Sequence, residues 1–295
     1  MPKVGYLGPA GTFSEEALYA SAAPGSFEPV ALATIYETVL AVRHGDVRWA
    51  LVPIENSLDG SVTVTLDLLA DEHGDLEIVG ETPLAVRHSL IAAHEIELAA
   101  IDTVITHPQV PGQCTRFLRS ELAHARIQAA SSTAEAVRLV ATARVPGHAA
   151  LGTRLAAQIY GATVLREGVQ DRDDNVTRFV WLARAEHDLA AATAPRPRPP
   201  LRTASASARW KTSLVFWGPG ADSPGWLVRC LDEFAQRSIN LTKIESRPRR
   251  GALGHYRFFV DLQGALAEPA VTEALQRLRA LCEQARVLGS YPAAR

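Results

Sequence analysis

The stretch DNVTRFVWLAR, residues 174–184, sets Asn175, Thr177 and Arg178 at the entrance of an apolar run that reads as a strand. None of the three side chains is a general base at neutral pH. Any chemistry there must run on a threonine hydroxyl without an activating His or Cys beside it. Similar short hydroxyl and amide side chains recur at GPAGTFSEE (8–16), PIENSLDGSV (53–62), THPQVPGQC (106–114) and ASSTAEA (130–136), each at a strand-to-helix turn. In α/β sheets, ligands bind outside the carboxyl ends of the strands. Helix starts there offer unpaired N–H groups and a favourable dipole to anions. A ligand with two carboxylates is what such turns could hold without a dense basic patch.

Each turn also has a purely architectural reading. Thr12 with Glu15, and Ser132 with Glu135, match the S/T-x-x-E capping box. GPAGT is a weak phosphate-loop signal, because the lysine of a P-loop is absent. His107 reads as a hydrogen-bonded turn residue and Cys114 as a small packed hydrophobe. Residue chemistry alone therefore leads to an anion-binding cleft.

The elements that must position these residues alternate strand and helix. KVGYLG precedes TFSEEALYA, RWALVPI precedes DGSVTVTLDLLAD, and DTVITH precedes PGQCTRFLRSEL. RIQAAS leads into TAEAVRLVATAR, and HAALG into TRLAAQIYG. This alternation predicts parallel βαβ units and an α/β fold. LEIVGETPLAVRHSLIAA, 76–93, is a long run of strand formers without a helix, and a return segment follows near 162–184. Two such crossings imply two α/β lobes with a cleft between them. A Pro-, Arg-, Ala- and Ser-rich stretch, 190–209, suits an extended linker. The expected division is 1–186 for the two-lobed part, 187–210 for the linker and 211–295 for a second domain, with the linker long enough to let the domains shift. In the last part KTSLVFWG, a helix with Ser223 as N-cap and Pro224 in its first turn, INLTKIESRP, HYRFFVDLQG, a helix with Val271, Leu275, Leu278, Leu281 and Cys282 on one stripe, and VLGSY give the order βαββαβ. That order is the ferredoxin-like split βαβ.

The formal charge of -2 argues against nucleic acid or an anionic membrane as the main partner. Three separated cysteines, without a CxxC pair, fit a reducing compartment and give no metal-ligand spacing. The start MPKVGYLGPAG enters a strand at once and lacks a signal-peptide pattern, so a cytoplasmic location is expected. No apolar stretch approaches the ~20 residues of a membrane span.

GPAGTFSEEA, VPIENSLDGSV, THPQVPGQC, ALGTRLAAQIYG and NVTRFVWLAR occur in this order, and together they resemble the catalytic domain of prephenate dehydratases. INLTKIESRP within βαββαβ resembles the ACT regulatory domain that follows it in bacterial members. The resemblance covers nearly the whole chain except the linker. It implies a periplasmic-binding-protein-like, two-lobed catalytic domain and a hydro-lyase that converts prephenate to phenylpyruvate, water and carbon dioxide on the route to phenylalanine. Neither metal nor organic cofactor is implied, since aromatisation of the ring drives the reaction.

By the same resemblance Thr177 is the donor to the departing hydroxyl, and Asn56 and Gln113 orient the substrate. Thr106, Thr12, Ser14, Ser132, Arg178 and Phe179 are further substrate-binding candidates, although strand alternation turns Arg178 away from Thr177 and Phe179. Phenylalanine is the implied effector, with Gly225, Trp226, Leu227, Asn240, Leu241, Glu245, Ser246 and Arg247 at the matching positions. Trp226 departs from the family's PGAL pattern, which here reads PGWL. It could narrow the pocket, add a stacking wall, face the partner subunit, or pack on the linker. A homodimer through paired ACT domains, often assembling further to a homotetramer, is implied. No helical mutase domain is expected before Lys3. Arogenate dehydratase and a non-catalytic amino-acid sensor are the alternative readings.

Overall fold

Apolar side chains at alternate positions of KVGYL and VWL, and at helical spacing in TAEAVRLVATA, can leave water only by packing layer on layer. The computed structural model, which describes residues 1–23, 25–71, 74–185, 199, 209–220, 222–249 and 254–294, shows the result. In chain order, β1 (Lys3–Leu7), α1 (Phe13–Ser21), β2 (Glu28–Leu32), α2 (Ile35–His44), β3 (Trp49–Asn56), the short β4 (Gly60–Ser61), α3 (Thr63–Leu69) and β5 (Leu76–Ala85) come first. Then follow β6 (Ser89–Ala92), β7 (Thr103–Thr106), α4 (Thr115–Glu121), β8 (Arg126–Ala129), α5 (Thr133–Ala143), β9 (His148–Gly152), α6 (Arg154–Tyr160), β10 (Thr163–Arg166) and β11 (Val176–Arg184). The chain ends with β12 (Trp210–Trp217), α7 (Trp226–Ala235), β13 (Leu241–Pro248), β14 (Tyr256–Gln263), α8 (Pro269–Leu281) and β15 (Gln284–Pro292).

The first sheet has the order β2-β1-β3-β11-β5, with β4 on β3, and the second the order β10-β6-β9-β7-β8. Both are mixed rather than purely parallel as the alternation predicts. β1 runs parallel to β2 and β3, whereas β11 is antiparallel to β3 and β5. In the second sheet β7 is parallel to β8 and β9, and β6 is antiparallel to β9 and β10. The reason lies in the connections. The chain passes from β5 to β6 and from β10 to β11 as strand and loop, without the crossover helix that a parallel neighbour needs. β5 and β11 belong to the first sheet and β6 and β10 to the second, so these passages join the lobes.

Two elements escape a reading of apolar patterns. β2 is an edge strand whose residues stay mostly accessible, so EPVAL shows no alternation. α2 is announced instead by its caps, with Thr34 accepting from Glu37 N and Gly45 in the left-handed region at its end. α7 begins at Trp226, behind Gly225, rather than behind Ser223. Ser223 is held in a preceding turn, its carbonyl accepting from Trp226 N at 3.0 Å and its hydroxyl from Arg229 at 2.9 Å.

The third sheet, β13-β14-β12-β15, is antiparallel throughout, with β14 inserted between the two strands of the first βαβ unit. α7 and α8 cover one face, with Phe234 and Leu275 packing over Leu214, Phe216 and Val260. The other face lies on the first lobe. Val215, Trp217, Phe259, Leu288 and Tyr291 share one core with Ile78, Val180, Leu182 and the α2–α3 side chains. The approach is close enough that a Cβ at Gly289 would stand 2.1 Å from the carbonyl oxygen of Ile78. A shared apolar core of this kind opposes the free shift expected of two domains on a long linker. Of the expected linker, 187–210, all but residues 199, 209 and 210 lie outside the described residues. No described helix is long and apolar enough to cross a membrane.

Candidate active site

The antiparallel register sets Thr177 of β11 opposite Asn56, the last residue of β3. Directly opposed residues share a face of the sheet, which brings the two side chains together. Ser57 fastens the arrangement: its N–H donates to Val176 O at 2.9 Å, and its hydroxyl donates to Asp174 O at 3.0 Å and accepts from Val176 N at 2.9 Å. Asn175 is thereby pinned beside the end of β3, and its side chain is 2% exposed.

Hydrogen bonding then orients every amide. Asn56 Oδ1 accepts from Leu58 N at 2.8 Å and Asp59 N at 2.9 Å, an Asx turn in which the oxygen must face the backbone donors. Asn56 Nδ2 is therefore a donor, to Asn175 Oδ1 at 2.8 Å and to Thr177 Oγ1 at 2.9 Å. Thr177 accepts that bond, which leaves its own proton available for another acceptor. Asn175 Nδ2 donates onward to Gln113 Oε1 at 3.2 Å, and Gln113 Nε2 donates to Asp59 Oδ2 at 3.3 Å. Gln113 closes a 3-10 turn (Val110–Gln113) after β7, so it comes from the other lobe. Asn56, Gln113 and Thr177 each keep partial exposure at the junction.

The start of α1 forms another wall. Phe13 meets the ring of His88 edge-on, centroids 5.4 Å apart, and His88 Nε2 lies 3.0 Å from Gln113 Oε1. Thr12 caps α1 by accepting from Glu15 N and donates to Leu7 O at 2.9 Å, while Ser14 is buried within the first turn. The preceding loop touches the second lobe: Thr153 donates to Gly11 O at 2.6 Å and Tyr160 to Ala10 O at 2.8 Å. Gly11 has φ +86, and a Cβ there would stand 2.7 Å from Ala156 Cα. Gly11→Ala is expected to destabilise the fold by about 1–3 kcal/mol and to raise KM, because the loop and α6 must separate. Thermal melting and steady-state kinetics measure both.

Several sequence-expected positions point elsewhere. Thr106 is fully buried, its hydroxyl donating to Leu151 O at 3.0 Å inside the second sheet. Ser132 caps α5 by accepting from Glu135 N at 3.0 Å. Arg178 occupies the opposite face of β11 from Thr177 and reaches Asp261 at 2.6 Å, Glu81 at 3.3 Å and Glu55 at 3.4 Å. Burial opposes its charge, but Asp261, Tyr291 and Glu81 more than offset this and the guanidinium pKa is raised. Phe179 is 2% exposed in the core with Trp49, Leu51 and Trp181. Arg178 and Phe179 therefore lack the access that a substrate contact requires.

Trp226 corrects an expectation too. It is 4% exposed and lies within its own module, against Phe216 and Phe258. Its Nε1 donates to Leu281 O at 2.6 Å, and a Cβ at Gly218 would come within 2.7 Å of the indole. Glu245 accepts from Ser61 at 3.0 Å and Arg247 donates twice to Asp67, at 3.2 and 2.8 Å, so both address the first lobe. Asn240, Ser246 and Gly225 are exposed, and Leu227 and Leu241 pack partly on the α7–α8 core.

His107 accepts from Gln109 N in its turn, and Cys114 is fully buried with its thiol pushed up to about 12, chiefly by burial and then by Asp171. His88 joins the site without having been singled out, and Asn175, noted at the entrance of the strand, joins it without an assigned role. The signal for each was a polar side chain set against an apolar run, NVTRFVWLA and AVRHSLIAA. Among the described residues no cluster of His, Cys, Asp or Glu could hold a metal ion.

A family model described as prephenate dehydratase matches residues 4–187. A curated relative from Mycolicibacterium vanbaalenii, named prephenate dehydratase, is 38% identical over 305 residues, covering 99% of this chain and 91% of its own. The crystal structure of prephenate dehydratase in complex with L-Phe from Arthrobacter aurescens is 33% identical with a TM-score of 0.84, over 98% of this chain and 89% of its own. A solved structure described as GqqA, a novel type of quorum quenching acylase, has a TM-score of 0.84 at 28% identity, over 99% and 98% of the two chains. With the family model spanning more than half of its residues, and relatives matched along almost all of it, the chain belongs to the prephenate dehydratase family.

Proposed function

We propose that the chain converts prephenate to phenylpyruvate, water and carbon dioxide at the Asn56–Thr177–Gln113 junction. The bond from the ring carbon to its carboxylate breaks, carbon dioxide departs, and the released electron pair completes the aromatic ring. The 4-hydroxyl leaves from the ring carbon para to the one that loses the carboxylate. Hydroxide is a poor leaving group, so a donor to that oxygen lets it depart as water. The observation that carries this reading is the bond from Asn56 Nδ2 to Thr177 Oγ1 at 2.9 Å, with Asn56 itself oriented by Leu58 N and Asp59 N. It holds the threonine oxygen as an acceptor and leaves its proton to be directed at the substrate. A hydroxyl held this way serves as a polarised donor to the departing hydroxide rather than as a strong acid, and the proton that completes the water comes from solvent.

Acyl hydrolysis, the chemistry attributed to one structural relative, needs an activated nucleophile. Cys114, next to Gln113, is a buried thiol with a raised pKa and does not meet that need. Incubation with prephenate and with arogenate, following phenylpyruvate and phenylalanine, tests the reading. Turnover of prephenate is expected, and turnover of neither substrate overturns it.

The C-terminal part, 211–295, is proposed as an ACT-type module that binds phenylalanine and pairs with a second copy to form the homodimer. L-Phe in the Arthrobacter aurescens relative supports this ligand. Lys243 donates to Ser61 at 2.7 Å and pairs with Glu55 at 3.2 Å, so β13 touches the hairpin that carries Asn56. A ligand that shifts β13 would act on the site through that hairpin. Titration calorimetry with L-phenylalanine is expected to give a saturable signal. No heat at millimolar concentration would count against the module's proposed ligand.

A further inference from the structure

His88 stands where the chain crosses from β5 to β6, in the passage that joins the lobes. It is 1% exposed, and its backbone is held on both sides, His88 N donating to Gln170 Oε1 at 3.0 Å and His88 O accepting from Val169 N at 3.0 Å. Its Nε2 lies 3.0 Å from Gln113 Oε1, and its buried Nδ1 has no hydrogen-bond partner.

The tautomer follows from the amide chain rather than from the ring. The backbone donors Leu58 N and Asp59 N fix Asn56 Oδ1 as an acceptor, so Asn56 Nδ2 donates to Asn175 Oδ1. Asn175 Nδ2 must then donate to Gln113 Oε1, in agreement with Gln113 Nε2 facing the Asp59 carboxylate. An oxygen at that place can only accept, so the ring nitrogen facing it carries the proton. The alternative tautomer would set two lone pairs against each other and bury an Nδ1–H without an acceptor.

We propose that His88, as the neutral Nε2–H tautomer, is a positioning residue that locks the Gln113 carboxamide with its Nε2 on the Asp59 side of the junction. The inference rests on the reading of Gln113 as a residue that orients the substrate. Its reach beyond that reading is that the crossing segment itself, through one ring nitrogen, sets the geometry of the opposite wall. Protonation of the ring would add an Nδ1–H with no acceptor in a buried place. Burial lowers the His88 pKa from 6.5, and the bond to Gln113 partly opposes this.

The neighbouring elements carry these charged groups: Glu15 and Glu16 on α1, Asp59 after β3, Arg87 next to His88 in the chain, and Asp171, Asp173 and Asp174 before β11. Arg87 pairs with Asp173 and Asp174 with Arg172, and the His88 shift follows from burial first, with the Gln113 bond opposing it. Because the unfolded chain binds the proton more readily, this group's contribution to stability is present above pH 6.5 and is lost as the pH falls through and below that value.

The test compares His88→Leu, which removes the donor, with His88→Gln, which restores an N–H near Nε2 but cannot titrate. For His88→Leu, kcat is expected to fall about 10- to 100-fold with KM changed far less, since misplacement of an orienting group acts on the reacting geometry. His88→Gln should recover most of kcat and lose the acid limb of the pH profile. Wild-type kcat in His88→Leu, or an unchanged acid limb in His88→Gln, overturns the proposal. A second arm is independent of the substrate and of whether His88→Leu folds: ¹⁵N imidazole shifts in the unaltered chain. They are expected to report one Nε2–H tautomer that becomes mixed in Gln113→Ala. An Nδ1–H tautomer, or shifts unmoved by Gln113→Ala, sinks it. Failure of prephenate turnover with the expected ¹⁵N pattern would remove the functional reading and leave the hydrogen-bond assignment standing.

Discussion

Thr177→Val lowers kcat by about 10²–10⁴-fold while the protein stays folded, which is the range expected for loss of a positioned donor to a leaving group. Valine keeps the β-branched shape that suits β11 and removes only the hydroxyl. The fold tolerates this because Asn56 Nδ2, the group bonded to Thr177, retains Asn175 Oδ1 at 2.8 Å as an acceptor. One of the two Nδ2 protons of Asn56 loses its partner, but Asn56 is partly exposed, so the stability cost stays at about 0.5–1.5 kcal/mol, the net worth of one hydrogen bond. Thr177→Ser keeps the donor and is expected to retain most activity. Steady-state kinetics with prephenate, alongside thermal melting, separate the two effects. Near-normal kcat in Thr177→Val would remove the hydroxyl from the mechanism.

Arg178→Met has its largest effect on stability, an expected loss of about 3–5 kcal/mol, because it leaves a carboxylate buried without its cation. The exposed party is Asp261, 4% accessible in β14 and 2.6 Å from Arg178. Glu81 is better protected, since Lys211 reaches it at 2.7 Å and Ala294 N at 2.9 Å. Asp261 keeps only neutral company among the described residues, accepting from Ser213 at 2.5 Å. In a chain of this size the loss corresponds to a Tm lower by roughly 6–20 °C. The double variant Arg178→Met with Asp261→Leu should recover much of it, because replacing both members of a buried ion pair by apolar groups is often neutral. Thermal melts of the single and double variants measure this. KM for prephenate below the melting range is expected to stay near the unaltered value. A KM raised a hundredfold with an unchanged Tm would return Arg178 to the substrate.

The arginine also illustrates what periodicity can report. Strand alternation in VTRFVWLA turns Arg178 to the face opposite Thr177, and the structure has it there. Alternation likewise puts Phe179 on the Thr177 side, yet Phe179 is packed under α1 instead of lining a cleft. Direction along a strand is a local property. What waits on that side depends on which layer covers it.

The sequence by itself determined the α/β alternation, the βαββαβ order of the last part and the helix starts at Thr12 and Ser132, because these follow from contacts within a few residues. It also determined the family, through ordered motifs along the chain. Only the tertiary structure decided that β11 lies between β3 and β5, and with it that Asn56 meets Asn175 and Thr177 across more than a hundred residues. The same is true of His88 against Gln113, of Arg178 against Asp261 and of Trp226 within its own core. Hydrophobic spacing specifies which face of an element is buried, and it is silent on which distant element does the burying. Hydrogen-bond partners and ion pairs across layers are settled when the strands choose their neighbours.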